Sequence, residues 1–239
     1  MTGPTPGSLP LRAAEATAFL YPFLDAEEWD QDSLLADLAA SARAKARESA
    51  SLRRSTLQAS APLLEAAATE MAHRLAAGGR IFTFGNGGSS TDATTLADLF
   101  ASPPPAAPHA AKLTTRALPA WSLTADQAVL TALGNDVGFE LVFARQLIAR
   151  AKPGDIAIAM STSGNSKDLA AAFREARRRS MYTIGFAGYD GGEFATSEDV
   201  DVCFVVRSQS VHRVQESQAL LGYHLWAAVH EHLAVAGEH

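Results

Sequence analysis

Apolar and β-branched residues gather in five short runs: Ile81–Phe84, Ala120–Leu123, Ile156–Met160, Thr183–Phe186 and Val200–Val206. Runs of this length fit short buried strands. Helical spacing fills the intervals. Asp32 or Ser33 can cap a long alanine-rich helix from Leu34, with Leu38, Leu52 and Leu57 along it. Ser60-Ala-Pro62 reads as the start of another helix, because proline's missing N–H does no harm in a first turn. Leu63, Leu64, Ala67, Met71 and Leu75 mark its apolar face, and Gly78-Gly79 ends it. Two helices are therefore expected before the first strand. Further helices are expected over 92–100, 126–133, 139–150, 169–179 and 211–233, with Gly134-Asn135-Asp136 breaking the second of these. Strands alternating with helices predict an α/β fold, a three-layer α/β/α sandwich on a five-stranded, mostly parallel sheet.

The chemistry lies in the turns that leave the first and third strands. Gly85-Asn86-Gly87-Gly88-Ser89 joins the first strand to a helix. Glycines let the backbone turn sharply and approach a ligand. Unpaired N–H groups and the positive end of the following helix favour an anion. The loop is not a Walker A loop, since no Gly-Lys-Ser/Thr follows, and it lacks the GxGxxG spacing. Alone, it fits equally a tight turn into a helix. The third strand is followed by Ser161-Thr162-Ser163-Gly164-Asn165-Ser166, and Lys167 then opens a helix. Serine-rich turns are often simple caps. Two hydroxyl-rich strand-to-helix turns in one α/β domain point instead to a phosphate ester bound above the strand ends.

Composition narrows the class. The chain has 239 residues, is 47% hydrophobic and 19% charged, and carries a net charge of −6. That balance suits a globular domain and disfavours a nucleic-acid groove. Cys203 is the single cysteine, so no internal disulfide can form, and its apolar run suggests a buried small hydrophobe. Neither a transmembrane span nor a signal peptide is legible, which points to the cytoplasm. Residues 1–31 read as a variable extension, with 1–10 disordered and a short helix over 11–19, and 32–239 read as one domain. Ser102-Pro-Pro-Pro opens a stiff irregular loop running to Ala111.

Taken together, Gly85-Asn-Gly-Gly-Ser89, Leu130-Thr-Ala-Leu-Gly-Asn135-Asp136, Pro153-Gly-Asp, Ser161-Thr-Ser-Gly-Asn-Ser166, Gly188-Tyr-Asp-Gly-Gly192 and Arg213-Val-Gln215-Glu216 resemble the SIS (sugar isomerase) domain. The likeness is to its sedoheptulose 7-phosphate isomerase (phosphoheptose isomerase) branch and runs from about Ser60 to Leu233. The resemblance implies a flavodoxin-like fold, a phosphorylated sugar as ligand and a homotetramer with sites at subunit interfaces. It implies substrate contacts from Asn86, Gly87, Gly88, Ser89, Asn135, Asp136, Ser161, Thr162, Ser163, Ser166 and Gln215.

The departure is in the metal set. Zinc-bearing members of the branch carry a His and a Glu one turn apart, then a Gln and a later His. Here those positions are Thr95, Leu99, Gln215 and Tyr223. Leucine has no lone pair to give, and threonine and tyrosine hydroxyls are poor zinc ligands beside imidazole and carboxylate. No zinc or other cofactor is therefore expected. Asp98 and His224 offer a shifted alternative only. The same His and Glu serve the branch's proton transfers, so an active enzyme would have to use Glu216 or Asp98 as its base. Two readings remain: a phosphosugar isomerase, or a non-catalytic phosphosugar sensor or assembly protein like SIS proteins that associate with the bacterial replication initiator. The sugar and any protein partner are not legible.

Overall fold

Five strands form one sheet in the order β2-β1-β3-β4-β5. They are β1 (Ile81–Gly85), β2 (Ala120–Ser122), β3 (Ile156–Met160), β4 (Tyr182–Gly188) and β5 (Val202–Val206), and every neighbouring pair is parallel. This computed structural model describes residues 31–104 and 115–236. The expected disorder at 1–10, the helix at 11–19 and most of the Pro-rich loop fall outside the described residues. The chain divides into two compact units, Met1–Arg47 and Glu48–His239. In the first, the described residues are helical, with Leu34, Leu35 and Leu38 exposed.

The helices are α1 (Gln31–Ala76), α2 (Gly88–Ala101), α3 (Gln127–Asp136), α4 (Val142–Arg150), α5 (Lys167–Arg178) and α6 (Val211–Ala236). Short 3₁₀ turns occupy Phe139–Leu141 and Gly192–Ala195. Side chains alternate across the strands, so each face of the sheet has its own core. Ile81, Ile156, Ile158, Met160, Ile184, Phe186 and Phe204 pack with Leu64, Met71, Phe100, Leu225 and Val229 of α1, α2 and α6. Phe82, Phe84, Ala157 and Ala159 pack with Phe143, Leu147, Leu169 and Phe173 of α4 and α5. The result is the expected three-layer α/β/α sandwich. The sheet is parallel throughout, which explains why β1, β3 and β4 read as unbroken apolar runs: both faces are covered.

Three local expectations change. Among the described residues, a single helix spans the stretch before β1 where two were expected, and it runs through Pro62. Proline removes one N–H from the ladder, and Gln58, whose carbonyl loses that partner, is an exposed residue. The helix also includes Asp32 and Ser33, so it begins before the expected cap. Finally, Gly134-Asn135-Asp136 forms the last turn of α3 rather than the break that ends the helix after Leu133. Cys203 is a partly buried residue of β5 whose thiol is pushed up to about 12 by burial, so it stays protonated and inert at neutral pH. No described helix is long and apolar enough to cross a membrane.

Candidate functional site

The strand order places the site. With β2 on one side of β1 and β3 on the other, the chain reverses its direction of winding between β1 and β3, and a crevice opens at their carboxyl ends. Gly85 lies in register with Met160, so the two hydroxyl-rich loops leave the sheet side by side. Each loop runs into a helix, and the N-termini of α2 and α5 meet the same crevice with their free N–H groups. Gly87 takes φ 54, ψ −125, a backbone state that glycine adopts without strain and that turns the chain from strand into helix.

A small cleft of about 80 Å³ lies between the loops, lined by Asn86, Ser89, Ser161, Thr162, Ser163 and Ser166 with Met160 and Leu169. These are six of the residues expected to bind the ligand. Asn86 is fixed from behind: its Nδ2 donates to both carboxylate oxygens of Asp168, at 2.8 and 3.1 Å. Asp168 is 5% exposed and sits in the first turn of α5, where the helix end favours its charge. Ser161 Oγ accepts from the N–H of Gly164 at 3.0 Å, and Ser163 Oγ from that of Asn165 at 3.3 Å. Both hydroxyls keep their protons to donate to an anion. Ser166 is the N-cap of α5, and its side chain makes no capping bond.

Gln215 reaches the site from α6. A Cβ placed on Gly88 would stand 2.5 Å from its Nε2, so glycine there is what admits the amide. The same Nε2 donates to Asp92 Oδ2 at 3.1 Å. Burial raises the Asp92 pKa above the usual carboxylate value, and the bond from Gln215 opposes the rise. Asp92 also borders a second cavity of about 60 Å³, walled by Leu96, Leu99, Gly222 and Tyr223 and sharing Met160 with the first.

That second cavity is lined by Thr95, Leu99 and Tyr223, three of the four positions where the branch resemblance would set zinc. Thr95 Oγ1 donates within its own helix to the carbonyl of Thr91 at 2.9 Å. Leu99 packs on the core, and the Tyr223 ring lies 5.3 Å from Trp226. A leucine, a threonine and an aromatic ring do not make a zinc shell. Among the described residues, no three His, Cys, Asp or Glu side chains are grouped to hold a metal ion.

Gly87, Gly88 and Gln215 adjoin the cleft without lining it, and four further expected residues lie apart from it. Asn135 and Asp136 are exposed on α3, and Asn135 Nδ2 donates to its neighbour's carboxylate at 2.8 Å. Glu216 is paired with Arg53 at 2.6 Å, both about half exposed. Asp98 is exposed on α2. Asp168, Asp92 and Gln218 were not anticipated as site residues. Gln218 lies one turn beyond Gln215 on α6, and that helical spacing is the signal that could have found it.

The SIS domain family matches residues 46–188, more than half of the chain. The chain belongs to the SIS domain family. Within it, the chain groups with phosphoheptose isomerases. The phosphoheptose isomerase of Roseiflexus sp. (strain RS-1) is 41% identical over 165 residues, 69% of this chain and 79% of its own length. That of Aquifex aeolicus (strain VF5) is 37% identical over 185 residues, covering 77% of this chain and 92% of the relative. Among solved structures, phosphoheptose isomerase GmhA from Neisseria gonorrhoeae superposes with a TM-score of 0.71 at 31% identity, over 80% of this chain and 98% of that one. The SIS fold and its membership are thus established, and the five-stranded sheet is that of the phosphoheptose isomerases.

Proposed function

We propose that this SIS protein binds a phosphorylated sugar in the cleft between the β1 and β3 loops, without zinc, and turns it over slowly or not at all. One observation carries the reading. The anion cradle is intact, with two helix N-termini and Ser161, Ser163 and Ser166 around a pocket of phosphate size, while Thr95, Leu99 and Tyr223 stand at the metal positions. The phosphate would sit on the serine hydroxyls and helix ends. Asn86, Gly87, Gly88, Ser89, Thr162 and Gln215 would border the sugar, with Asn135 and Asp136 joining from an adjoining subunit of a homotetramer. A cytoplasmic location belongs to the same reading.

A second reading, a phosphosugar sensor or assembly protein with no chemistry, is favoured by Glu216. This candidate base is held by Arg53 and lies outside the cleft. If the protein is an isomerase, Glu216 or Asp98 must move the proton between adjacent carbons.

Calorimetric titration separates these ideas. Sedoheptulose 7-phosphate should bind and plain sedoheptulose should not; equal affinities would end the phosphate assignment. Ser163→Ala should weaken binding by about 1–3 kcal/mol, the value of a hydrogen bond to a charged group. Elemental analysis should find no stoichiometric zinc in the purified protein. Turnover in the usual enzyme range of about 1–10³ s⁻¹ would restore the enzyme reading. Glu216→Gln and Asp98→Asn would then identify the base.

A further inference from the structure

The segment 188–194 that leaves β4 lines no part of the cleft, yet it holds the loop that does. It sends three N–H groups to the loop after β3, and all three bonds run the same way. Gly188 N–H donates to the Thr162 carbonyl at 3.0 Å, and Phe194 N–H to the Gly164 carbonyl at 3.2 Å. Glu193 N–H donates to Asn165 Oδ1 at 2.8 Å. The two loops also pack backbone on backbone. A Cβ on Gly164 would collide with the Gly191 carbonyl, and one on Gly192 with the Ser163 carbonyl. The supporting segment is itself closed. Gly191 N–H donates to the Gly188 carbonyl at 2.8 Å, and Gly192 N–H to Asp190 Oδ1 at 3.2 Å. Tyr189 sits at φ 55, a state that side chains resist and that persists only where the surroundings fix it.

The direction of those bonds matters for an anion. A carbonyl or amide oxygen facing a phosphate repels it, and an N–H attracts it. Here three oxygens of the cleft loop are turned onto the neighbouring segment. The Ser161 carbonyl is taken too, by Gln218 Nε2 of α6 at 2.7 Å. A trans peptide sets its N–H opposite its carbonyl, so with the Thr162 carbonyl on Gly188 the Ser163 N–H points away from β4. β3 lies between β4 and β1, so that direction is toward the β1 loop and the cleft. Among the described residues this N–H has no partner. We propose that segment 188–194 is a brace that makes the cleft selective for an anion, with Asn165 as the positioning residue that couples it to Ser163. The inference rests on the phosphosugar reading of the cleft. Asn165 does not line the cleft and acts through its neighbour. Its N–H donates to Ser163 Oγ at 3.3 Å while its side chain holds Glu193, so freeing the side chain frees the hydroxyl that meets the phosphate.

Calorimetry on the full chain, with sedoheptulose 7-phosphate and with inorganic phosphate, tests the assignment. Asn165 is exposed, so Asn165→Ala leaves the core intact. It should weaken both ligands by about tenfold, as loss of an aimed hydrogen bond does, and leave the ratio between them unchanged. Ser163→Ala should weaken both ligands in the wild type but add little in the Asn165→Ala background, because the hydroxyl it removes is no longer aimed. A residue that merely supported the fold would give independent losses that sum. Unchanged affinity in either single variant, a loss in Asn165→Ala confined to the sugar phosphate, or additive losses in the double variant would overturn the proposal. If neither ligand binds the wild type, the phosphosugar reading itself falls, and this inference with it.

Discussion

Asn86 and Asp168 lie far apart in sequence, yet their double hydrogen bond links the two ligand loops. Removing the amide strands a buried carboxylate. Asn86→Ala should therefore lower stability by about 1–3 kcal/mol or more in urea titration, whatever it does to the ligand. Asp92 shows the opposite balance. Burial raises its pKa, so the folded state bears a cost once the group is ionised at neutral pH. Below the ordinary carboxylate range the group is protonated in both states and the cost disappears. Asp92→Asn should gain melting temperature over the wild type at pH 7, and the gain should shrink as pH falls towards 3.5. Calorimetric scans across that range check the sign. At this scale the sequence showed the hydroxyls and amides but not what orients them. Ser161, Ser163, Ser166 and Asn86 stand in a glycine- and serine-rich signature. Asp168 reads as an ordinary acid at a helix start, and its role depends on a strand pairing that no local pattern reveals.

The elements were legible where a face is buried on both sides, and less so where breakers decide. β1 and β3 were clear from unbroken apolar runs flanked by glycine. Helix ends were not. Gly134 looked like a stop, but α3 continues to Asp136, and termination comes at Gly138, with φ 108, where both Val137 and Gly138 donate back to the Leu133 carbonyl. A glycine inside a helix costs about 1 kcal/mol, which packing can offset. Pro62 was placed as a beginning because a first turn tolerates it. In α1 it is instead interior, and its side chain is exposed. Pro62→Ala should then restore a ladder bond and raise stability by about 1–3 kcal/mol in chemical denaturation, a direction that a true first-turn proline would reverse.

For the whole molecule, a homotetramer is expected because Leu34, Leu35 and Leu38 of α1 and the Asn135–Asp136 pair are exposed among the described residues. Light scattering at micromolar concentration should give about four chains per particle, and a monomer would also remove Asn135 and Asp136 from the site. The fold class was legible because βα alternation admits few topologies. The site was legible only in part, since α6 supplies Gln215 and Gln218 from far along the chain. That arrangement has a consequence for synthesis. β1 and β3 are hydrogen-bonded neighbours, but the whole of α2, β2, α3 and α4 is translated between them. The cradle's last contributors follow more than fifty residues after β3. At about 5–20 residues per second, a nascent chain spends several seconds with the glycine loop made but no partner for it. A sugar phosphate bound as proposed would therefore protect only the finished protein, because no completed site exists while the ribosome is still building the sheet.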